Sequence, residues 1–382
     1  MNRYRYKIHD KVYDLTEFVK IHPGGQEMFK SLKPDTNITT LLYSYHKDPK
    51  RILELLPSYE IQETAVIQYD TPQTYDTYCE LKDMVVHKMK EEGIPFYWSS
   101  QEIAYNAALM GLYIGLWIYC LVHGSDLSYG WMPLLVCIKL GYGALVFHET
   151  AHYTGFKNQT LNAYVSRFIM SPMINTAVWK YDHNYLHHSF TNTPFDGDFE
   201  ANRLIIRQSS NQPHYIYHRL QYLYVHLVYL GAIFVKGPLV AILHQRWNIL
   251  LFLGIVYQLG LVHTSILYGL SGLLFASIAQ LSHIQQKCIE DSALKQDFLY
   301  NQVSSSMNWR TEDPFTRFLC FGLDLQIEHH LFPNIPHSSL RQVQPLVRAF
   351  CLQKGIPYLE NPSVFTNLGS YVQYLYRMGN PN

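Results

Sequence analysis

The sequence has few charged residues and no paired-cysteine motif. Asp, Glu, Lys and Arg make up only 16% of the 382 residues, and the formal net charge is zero. A chain with this balance has no excess positive charge for nucleic acid, so a nucleic-acid partner is not expected. Six cysteines are present without a CxxC pair. Neither a zinc ribbon nor a disulfide framework is therefore predicted.

The N-terminal residues MNRYRYKIHDKVYDL contain no apolar stretch of the kind that a cleavable signal peptide needs. The N-terminus is therefore expected to begin and remain in the cytosol. Aromatic residues, in contrast, are abundant at 15%, with 31 tyrosines. Many aromatic and few charged residues indicate long apolar segments and membrane interfaces. The length allows two or more domains.

Two pairs of apolar segments predict helical hairpins in a membrane. Residues 103–122 and 131–147 form the first pair, and the second lies between residues 249 and 282. A bilayer crossing takes about 20 residues, so about four transmembrane helices are predicted. The break in the second pair is expected near Tyr268 and Gly269. Lys139 lies within a predicted crossing, so its side chain must face the protein interior or extend toward the interface.

Two further segments are predicted to lie beside the membrane. Residues 222–243 are apolar but are interrupted by Lys236-Gly237-Pro238, which favours interfacial or half-buried helices. Residues 75–92 have the pattern of an amphipathic helix. Its apolar side would carry Leu81, Met84, Val85 and Met89. Its lysines, Lys82, Lys88 and Lys90, would face lipid headgroups or solvent.

Histidines form three clusters in the remaining sequence. His183 and His187 are four residues apart and share one face of a helix, with His188 turned further round. His148 and His152 have the same spacing. The third cluster is Gln326-Ile327-Glu328-His329-His330. Neutral imidazole is a ligand for iron, zinc, copper and nickel. Seven histidines exceed the needs of one tetrahedral zinc ion and are about right for two metal ions.

A fourth histidine motif lies near the N-terminus. His22 opens the sequence His22-Pro23-Gly24-Gly25, and His46 follows 24 residues later. Proline and glycine fix a tight turn that would present His22 rigidly. This motif resembles that of the cytochrome b5 family, in which two such histidines ligate a haem iron. Two neutral nitrogen ligands leave no position for oxygen and favour one-electron transfer.

Together these motifs resemble the membrane fatty-acid desaturases fused to cytochrome b5, in particular the front-end type and the related cytochrome b5-related proteins. The resemblance covers nearly the whole chain. Its carriers are HPGG at 22–25, HETAH at 148–152, HNYLHH at 183–188 and QIEHH at 326–330, and residues 322–333 are the most specific part. Two departures, HxxxHH in place of HxxHH and Glu149 in place of Asp, weaken assignment to one substrate subgroup.

The resemblance implies a fold of two parts. Residues 1–65 would form a small α+β cytochrome b5-like haem domain, and residues 66–100 a linker or interfacial helix. Residues 101–382 would form an all-α integral membrane desaturase domain with about four transmembrane helices and a cytosolic di-iron cap. The turns within the two predicted hairpins carry no Lys or Arg, whereas the segment between the hairpins carries several basic residues. The positive-inside rule then places that segment and the histidine clusters in the cytosol, with the endoplasmic reticulum as the expected membrane. The basic residues of that segment are Lys157, Arg167, Lys180, Arg203, Arg207, Arg219, Lys236 and Arg246.

The resemblance also implies the ligands. His22 and His46 would hold haem b, Gln326 would lie beside two iron ions, and His283 would be an extra ligand. The catalytic iron ligands would be His148, His152, His183, His187, His188, His329 and His330. Asp196 and Asp198 would either orient ligand histidines or lie in a solvated loop. The other nine histidines, His337 among them, are assigned to the surface, an interface or the core.

The implied reaction is an oxidation with O2 as co-substrate. Electrons would pass singly from an NADH-dependent cytochrome b5 reductase through the haem to the di-iron pair, which removes two hydrogens from a fatty acyl or sphingolipid chain. The chain would lie among membrane lipids and enter a dry tunnel. Chain length, head group, double-bond position and oligomeric state are not specified by these motifs.

Three other functions fit part of the pattern. A lipid hydroxylase uses the same di-iron scaffold. HETAH also matches the HExxH motif of zinc proteases, in which Glu149 would be the general base. A non-catalytic member, such as the insect-type cytochrome b5-related proteins, would keep the fold without the reaction.

Overall fold

A computed structural model of the chain describes residues 3–62, 74–126, 129–169, 174–200, 204–231, 246–288, 297–310 and 313–381. Part of the predicted linker, residues 66–73, lies outside these ranges. So do Arg203, Lys236 and the second half of the apolar run 222–243.

The N-terminal module, residues 3–62, is a small α+β unit. Its four-stranded sheet has the order β3-β1-β2-β4. Strands β1 and β2 are antiparallel, with Arg5 opposite Asp14, whereas β3 runs parallel to β1. Tyr6 and Ile8 alternate inward along β1, which is the period-two burial expected of a half-buried strand. The strands are β1 (Arg5–Ile8), β2 (Lys11–Asp14), β3 (Thr36–Asn37) and β4 (Glu60–Ile61), and the helices are α1 (Thr16–Ile21), α2 (Thr39–Tyr45) and α3 (Pro49–Leu55).

Helix α4 (Asp76–Glu91) follows the N-terminal module and is amphipathic as predicted, but two of its assigned side chains are reversed. Leu81, Val85 and Met89 are buried, whereas Met84 is 41% exposed. Lys82 is only 3% exposed, and its Nζ donates to the backbone carbonyls of Tyr43 and Ser44. The prediction of a headgroup-facing Lys82 is therefore wrong, because position 82 falls within the buried i, i+3, i+4 stripe of α4.

Two long apolar helices come next. Helix α5 (Ser100–His123) begins at a capping box, in which Ser99 accepts from the Glu102 backbone and Glu102 accepts from the Ser99 backbone. Helix α6 (Met132–Ile138) continues through a π-helical stretch, Lys139–Ala144, into α7 (Leu145–Ala151). Lys139 faces the interior, with Nζ 4.4 Å from the ring centroid of Tyr268.

Shorter helices carry the chain toward the second hairpin. They are α8 (Gln159–Ile169), α9 (Thr176–Trp179), α10 (His188–Phe190), α11 (Gly197–Glu200) and α12 (221–231). A π-helical stretch, Lys180–His187, joins α9 to α10.

The second hairpin consists of α13 (Arg246–Leu259) and α14 (Leu261–Leu281), joined by Gly260 alone. Gly260 has a φ of 78°, which a residue without Cβ adopts freely. Phe252 and Tyr268, each eight residues from Gly260, bring their ring centroids within 5.5 Å, so the helices fold back on each other. The predicted break near Tyr268 and Gly269 is wrong, since both residues lie inside α14.

By length and composition, α5 and α14 are candidate membrane spans, and the apolar part of α13, Leu250–Leu259, is shorter. Both hairpin turns lie at one end of the helices. Gln258 Nε2 donates to the Leu121 carbonyl, and the Gln258 carbonyl is packed against Gly124. At the opposite end of the helices, His148 lies within α7 and His283 follows the end of α14.

The C-terminal part closes the fold. It contains α15 (Phe298–Ser304), α16 (Pro314–Leu319), α17 (Gln326–Leu331), α18 (His337–Gln353) and α19 (Val364–Gly379), with a short parallel pair β5 (Asn308–Trp309) and β6 (Glu360–Asn361). One apolar core runs from the N-terminal module through α4 to this part. It joins Tyr6 and Val19 to Leu81, Phe298 and Val343 without interruption.

Candidate metal centre and haem site

The central histidine motif lies on the π-helical stretch between α9 and α10. Asn175 starts this segment, because its side chain accepts from the backbone N–H groups of Ala177 and Val178. On this π-helical stretch His183, His187 and His188 lie close together. The ring centroids of His183 and His187 are 5.0 Å apart, and those of His187 and His188 are 5.7 Å apart. Short π-helical stretches occur frequently at functional sites.

A four-histidine group consists of His148, His152, His183 and His329, each offering one nitrogen within 4.8 Å of the others. Nε2 of His148 lies 3.2 Å from Nε2 of His183. All four rings are buried. Four imidazole nitrogens that converge in a buried space are the donor set of a transition-metal site.

A three-histidine group lies beside it and consists of His187, His283 and His330. Their ring centroids are 4.6–4.8 Å apart. Gln326 reaches the same group, with Nε2 2.8 Å from Nε2 of His283. The structure therefore places the predicted extra ligand and the predicted neighbouring amide in the same histidine group.

His188 lies between the two groups. Its ring centroid is 4.7 Å from that of His152 and 4.4 Å from that of His330. Among the described residues, neither ring nitrogen of His188 has a hydrogen-bond partner, although both are buried. His152 Nε2 and His330 Nε2 are also unpaired in this part of the chain. Buried nitrogens without partners fit bound metal ions, because an unpaired buried polar group is costly.

Hydrogen bonds behind the ligands fix their orientation. His183 Nδ1 lies 2.8 Å from Asp198, and His187 Nδ1 lies 2.9 Å from Asp196, which is fully buried. These hydrogen bonds favour the interpretation of Asp196 and Asp198 as orienting groups over that of a solvated loop. Metal-ligating histidines commonly bond a carboxylate or carbonyl through the other nitrogen. His283 Nδ1 bonds the Ser305 carbonyl in the same way, and His330 Nδ1 bonds the Gln302 side chain.

Burial lowers the pKa of His188, His329 and His330 well below the ordinary value. These rings are therefore neutral at pH 7, the form that binds metal. Burial also opposes charge on His187, but the carboxylates of Asp196 and Asp198 outweigh it and raise its pKa to about 9. The same carboxylates would balance the positive charge of a metal ion at this position.

His22 and His46 face each other in the N-terminal module, with ring centroids 5.9 Å apart. This separation is close to that expected for two imidazoles that ligate one metal ion at about 2 Å each. Each Nδ1 bonds a backbone carbonyl, Gly25 for His22 and Leu42 for His46, so each Nε2 faces inward. Burial lowers the pKa of His46 to about 4. The pair would hold a haem iron, which would supply one-electron transfer.

Gly24 leaves room for the His22 ring. A Cβ at this position would lie 2.8 Å from Cε1 of the His22 ring, closer than side-chain atoms pack. Phe18 and Phe29 contact His22 edge-on, with ring centroids at 5.6 and 5.1 Å. These aromatic rings supply an apolar wall beside the histidine.

Sequence reasoning missed His337 at the metal centre. This buried ring stacks on His329 with centroids 5.2 Å apart, and its Nδ1 lies 3.0 Å from Oε1 of Glu149. Glu149 also accepts from the His337 backbone N–H and from Trp98 Nε1. The one available sequence signal was the position of His337 seven residues after His330, at the start of α18.

The contacts of Glu149 also bear on the protease alternative. Both carboxylate oxygens accept hydrogen bonds, one from Trp98 and the other from His337. A general base in an HExxH site must instead be free to take a proton from water. The HETAH geometry therefore disfavours a zinc protease.

Comparison with known families covers most of the chain. The family described as "Fatty acid desaturase" matches residues 129–362. The family described as "Cytochrome b5-like Heme/Steroid binding domain" matches residues 2–65.

Curated relatives match between 64% and 98% of the chain. An acyl-lipid (8-3)-desaturase of Physcomitrium patens is 23% identical over 97% of this chain and 87% of its own. Fatty acid desaturase 3 of Bos taurus is 23% identical over 98% of this chain and 89% of its own. An sn-1 linoleoyl-lipid 6-desaturase of Synechocystis is 26% identical over 64% of this chain and 80% of its own.

Proposed function

Because the chain belongs to the fatty acid desaturase family and carries a cytochrome b5-like domain at its N-terminal end, we propose that it is a front-end desaturase of fatty acyl chains that uses its own haem as electron donor. The observation that carries the proposal is the convergence of eight buried histidines in two adjacent groups bridged by His188. One group alone would serve a single metal ion, whereas two adjacent groups suit a pair.

The proposed ligands follow the two groups. His148, His152, His183 and His329 would hold one iron, and His187, His283 and His330 the other. His188 would lie between them, and Gln326 beside the second. When bound, haem would supply electrons one at a time, and the iron pair would supply the O2-dependent oxidation that removes two hydrogens from neighbouring methylenes.

The surrounding residues hold the ligands still and keep water out. Asp196 and Asp198 fix the ring orientation of His187 and His183 through Nδ1, which leaves each Nε2 directed inward. Trp179 stacks on His183 with centroids 4.2 Å apart and covers one side. Phe147 packs against Trp179. A dry, rigid site favours oxidation of an unactivated C–H bond over side reactions with water.

The family is membrane-bound, and the exposed apolar faces of this chain fit that environment. Val122 on α5 is 73% exposed and Tyr257 on α13 is 90% exposed. We propose four crossings, formed by α5, α6–α7, α13 and α14, within a desaturase domain of residues 101–382 that follows a haem domain at 1–65 and a linker at 66–100. The metal centre and haem module would lie on the cytosolic side of the endoplasmic reticulum membrane, where an NADH-dependent reductase would supply electrons.

The proposal is tested by the fatty-acid profile of cells that express the chain. Cells would be fed saturated and unsaturated acids, and products would be identified by mass spectrometry. We expect a new double bond between the carboxyl end and an existing double bond. His187→Ala should abolish it. His87→Ala, an exposed histidine on α4, should leave it intact.

The same assay examines the nearest alternatives. A new hydroxyl group in place of a double bond would support a hydroxylase. A new product on sphingolipids alone would move the substrate to that class. No product from protein with normal haem and iron content would contradict the proposed reaction and support a non-catalytic member.

A further inference from the structure

One hydrogen bond connects the N-terminal module directly to the metal centre. The phenol oxygen of Tyr45, the last residue of α2, lies 2.9 Å from Nδ1 of His152. Tyr45 precedes His46 in sequence, so a residue bonded covalently to a haem-site histidine also contacts a metal-site histidine. His152 is 1% exposed, so this bond lies within the protein.

The other end of Tyr45 is fixed as well. Its backbone carbonyl accepts from Asn334 Nδ2 at 2.9 Å, and Asn334 lies in the loop between α17 and α18. Lys82 Nζ donates to the carbonyls of Tyr43 and Ser44. These contacts hold the end of α2 against both α4 and the loop that follows the third histidine cluster.

Tyr45 occupies the place that carboxylates and carbonyls occupy at other ligands. Asp198 bonds His183 Nδ1, Asp196 bonds His187 Nδ1, and the Ser305 carbonyl bonds His283 Nδ1. At His152 the partner comes from the haem module instead. With Nε2 of His152 directed to the metal, Nδ1 carries the proton and donates to the phenol oxygen.

We propose that Tyr45 couples the two redox sites: electrons pass from haem held by His46, through the Tyr45–His46 peptide link and the phenol hydrogen bond, to metal held by His152. The inference rests on the proposed function. Each transfer oxidises ferrous haem to ferric haem and delivers one electron. Two transfers, with two electrons and two protons from the substrate and two protons from solvent, reduce O2 to two water molecules.

A purely positioning role for Tyr45 makes a different prediction. If the phenol only orients His152, its loss should release metal and slow every later step together. If it couples the sites, its loss should slow haem oxidation while haem and iron content stay normal. Tyr45→Phe separates these roles, because it removes the hydroxyl and keeps the ring.

The experiment uses the full chain with haem and iron in lipid nanodiscs. Haem is reduced without oxygen and then mixed rapidly with O2 and a fatty acyl substrate, and its oxidation is followed by absorbance. Tyr43→Phe is the matched control, since Tyr43 lies on the same helix and its hydroxyl bonds His9. His187→Ala gives the background rate of a disrupted metal centre.

We expect Tyr45→Phe to slow haem oxidation by about tenfold or more while iron content stays normal, because the hydrogen bond that joins the two sites is lost. Tyr43→Phe should match the unmodified protein. An unchanged rate in Tyr45→Phe would overturn the inference, and so would loss of iron, which assigns the effect to positioning. If Tyr45→Phe does not fold, Asn334→Ala should slow oxidation with iron retained, and an unchanged rate would again overturn it.

Failure of the proposed function gives a distinct result. If the unmodified protein oxidises its haem no faster than His187→Ala yet forms a new double bond with added reductase and separate cytochrome b5, desaturation stands and internal coupling is wrong. If it forms no new double bond while its haem is oxidised faster than in His187→Ala, coupling stands and desaturation is wrong.

Discussion

Asp196 and Asp198 show how much of a metal site lies behind its ligands. Both carboxylates bond the outward nitrogen of a histidine, and Asp196 has no solvent exposure. A buried carboxylate without a cationic partner is costly. The bond to His187 therefore stabilises the fold as well as orienting the ring.

Asp196→Asn should lower metal affinity by about 10–100-fold, because an amide balances less positive charge and bonds His187 more weakly. Iron content after dialysis against a mild chelator measures this directly. Asp83→Asn, an exposed position on α4, is the control. Equal iron in both variants would contradict the proposed role.

Gly24→Ala should weaken haem binding without affecting iron at the metal centre. An added Cβ would meet the His22 ring at 2.8 Å, so the ring must leave its present position opposite His46. Haem titration by absorbance gives the affinity. Gly111→Ala is the control, because no atom lies near an added Cβ there. If Gly24→Ala bound haem with unchanged affinity, the His22 ring would be able to move without weakening haem binding, and the prediction would be wrong.

At the level of single residues, sequence reasoning found the histidines that meet at the metal centre, because clusters of one rare ligand type stand out. It missed His337 and Tyr45. Neither belongs to a cluster. His337 lies on the helix after the third cluster, and Tyr45 is 107 residues away from His152 in sequence. Only tertiary packing brings α18 and α2 to the same place.

Among the elements, the α13–α14 hairpin depends on a single residue. Gly260 holds a positive φ between two helices that fold back on each other. Hydropathy is nearly uniform across this segment, so the apolar pattern could not locate the break. Gly269, chosen from sequence, instead lies inside α14, where an added Cβ would be 3.5 Å from the Leu230 side chain.

Gly260→Ala should destabilise the protein by about 1–3 kcal/mol, because a residue with a Cβ is strained in the backbone conformation of Gly260, φ 78° and ψ 159°. Gly254→Ala lies within α13 with open space around it and should stabilise by about 0.5–1 kcal/mol. Thermal unfolding in detergent or nanodiscs compares the two. Equal shifts of the same sign would show that Gly260 does not determine the turn.

On the scale of the whole molecule, the two-part architecture was predicted and the contact between the parts was not. An α+β unit precedes a mostly helical part, as the resemblance implied. The amphipathic pattern of α4 left its orientation open, and Lys82 was predicted to face lipid headgroups or solvent. The structure buries this lysine between the parts, because the N-terminal module covers the face that would otherwise meet water or lipid.

Lys82 should make stability depend on pH. Burial lowers its pKa to about 7 in the folded protein, whereas the unfolded chain keeps an ordinary value of about 10.4. Between these values the unfolded state binds more protons, so the free energy of unfolding attributable to Lys82 rises from pH 7 to pH 9. Lys82→Met lacks this dependence.

The measurement compares thermal midpoints of the two proteins at pH 7, 8 and 9. The advantage of the unmodified protein over Lys82→Met should grow with pH. If the difference between the two thermal midpoints stayed constant with pH, Lys82 would keep its charge when buried. Lys88→Met, on the same helix but paired with Glu92 at the surface, is the control.

The uninterrupted core from the N-terminal module to α18 has a kinetic consequence. Two separate redox proteins must find each other, and their encounter slows as they are diluted across a membrane. Here the module and the metal centre form one packed body, so the effective concentration of one at the other is set by the fold. The proposed electron transfer would then be first order, and turnover per molecule should not change with protein density.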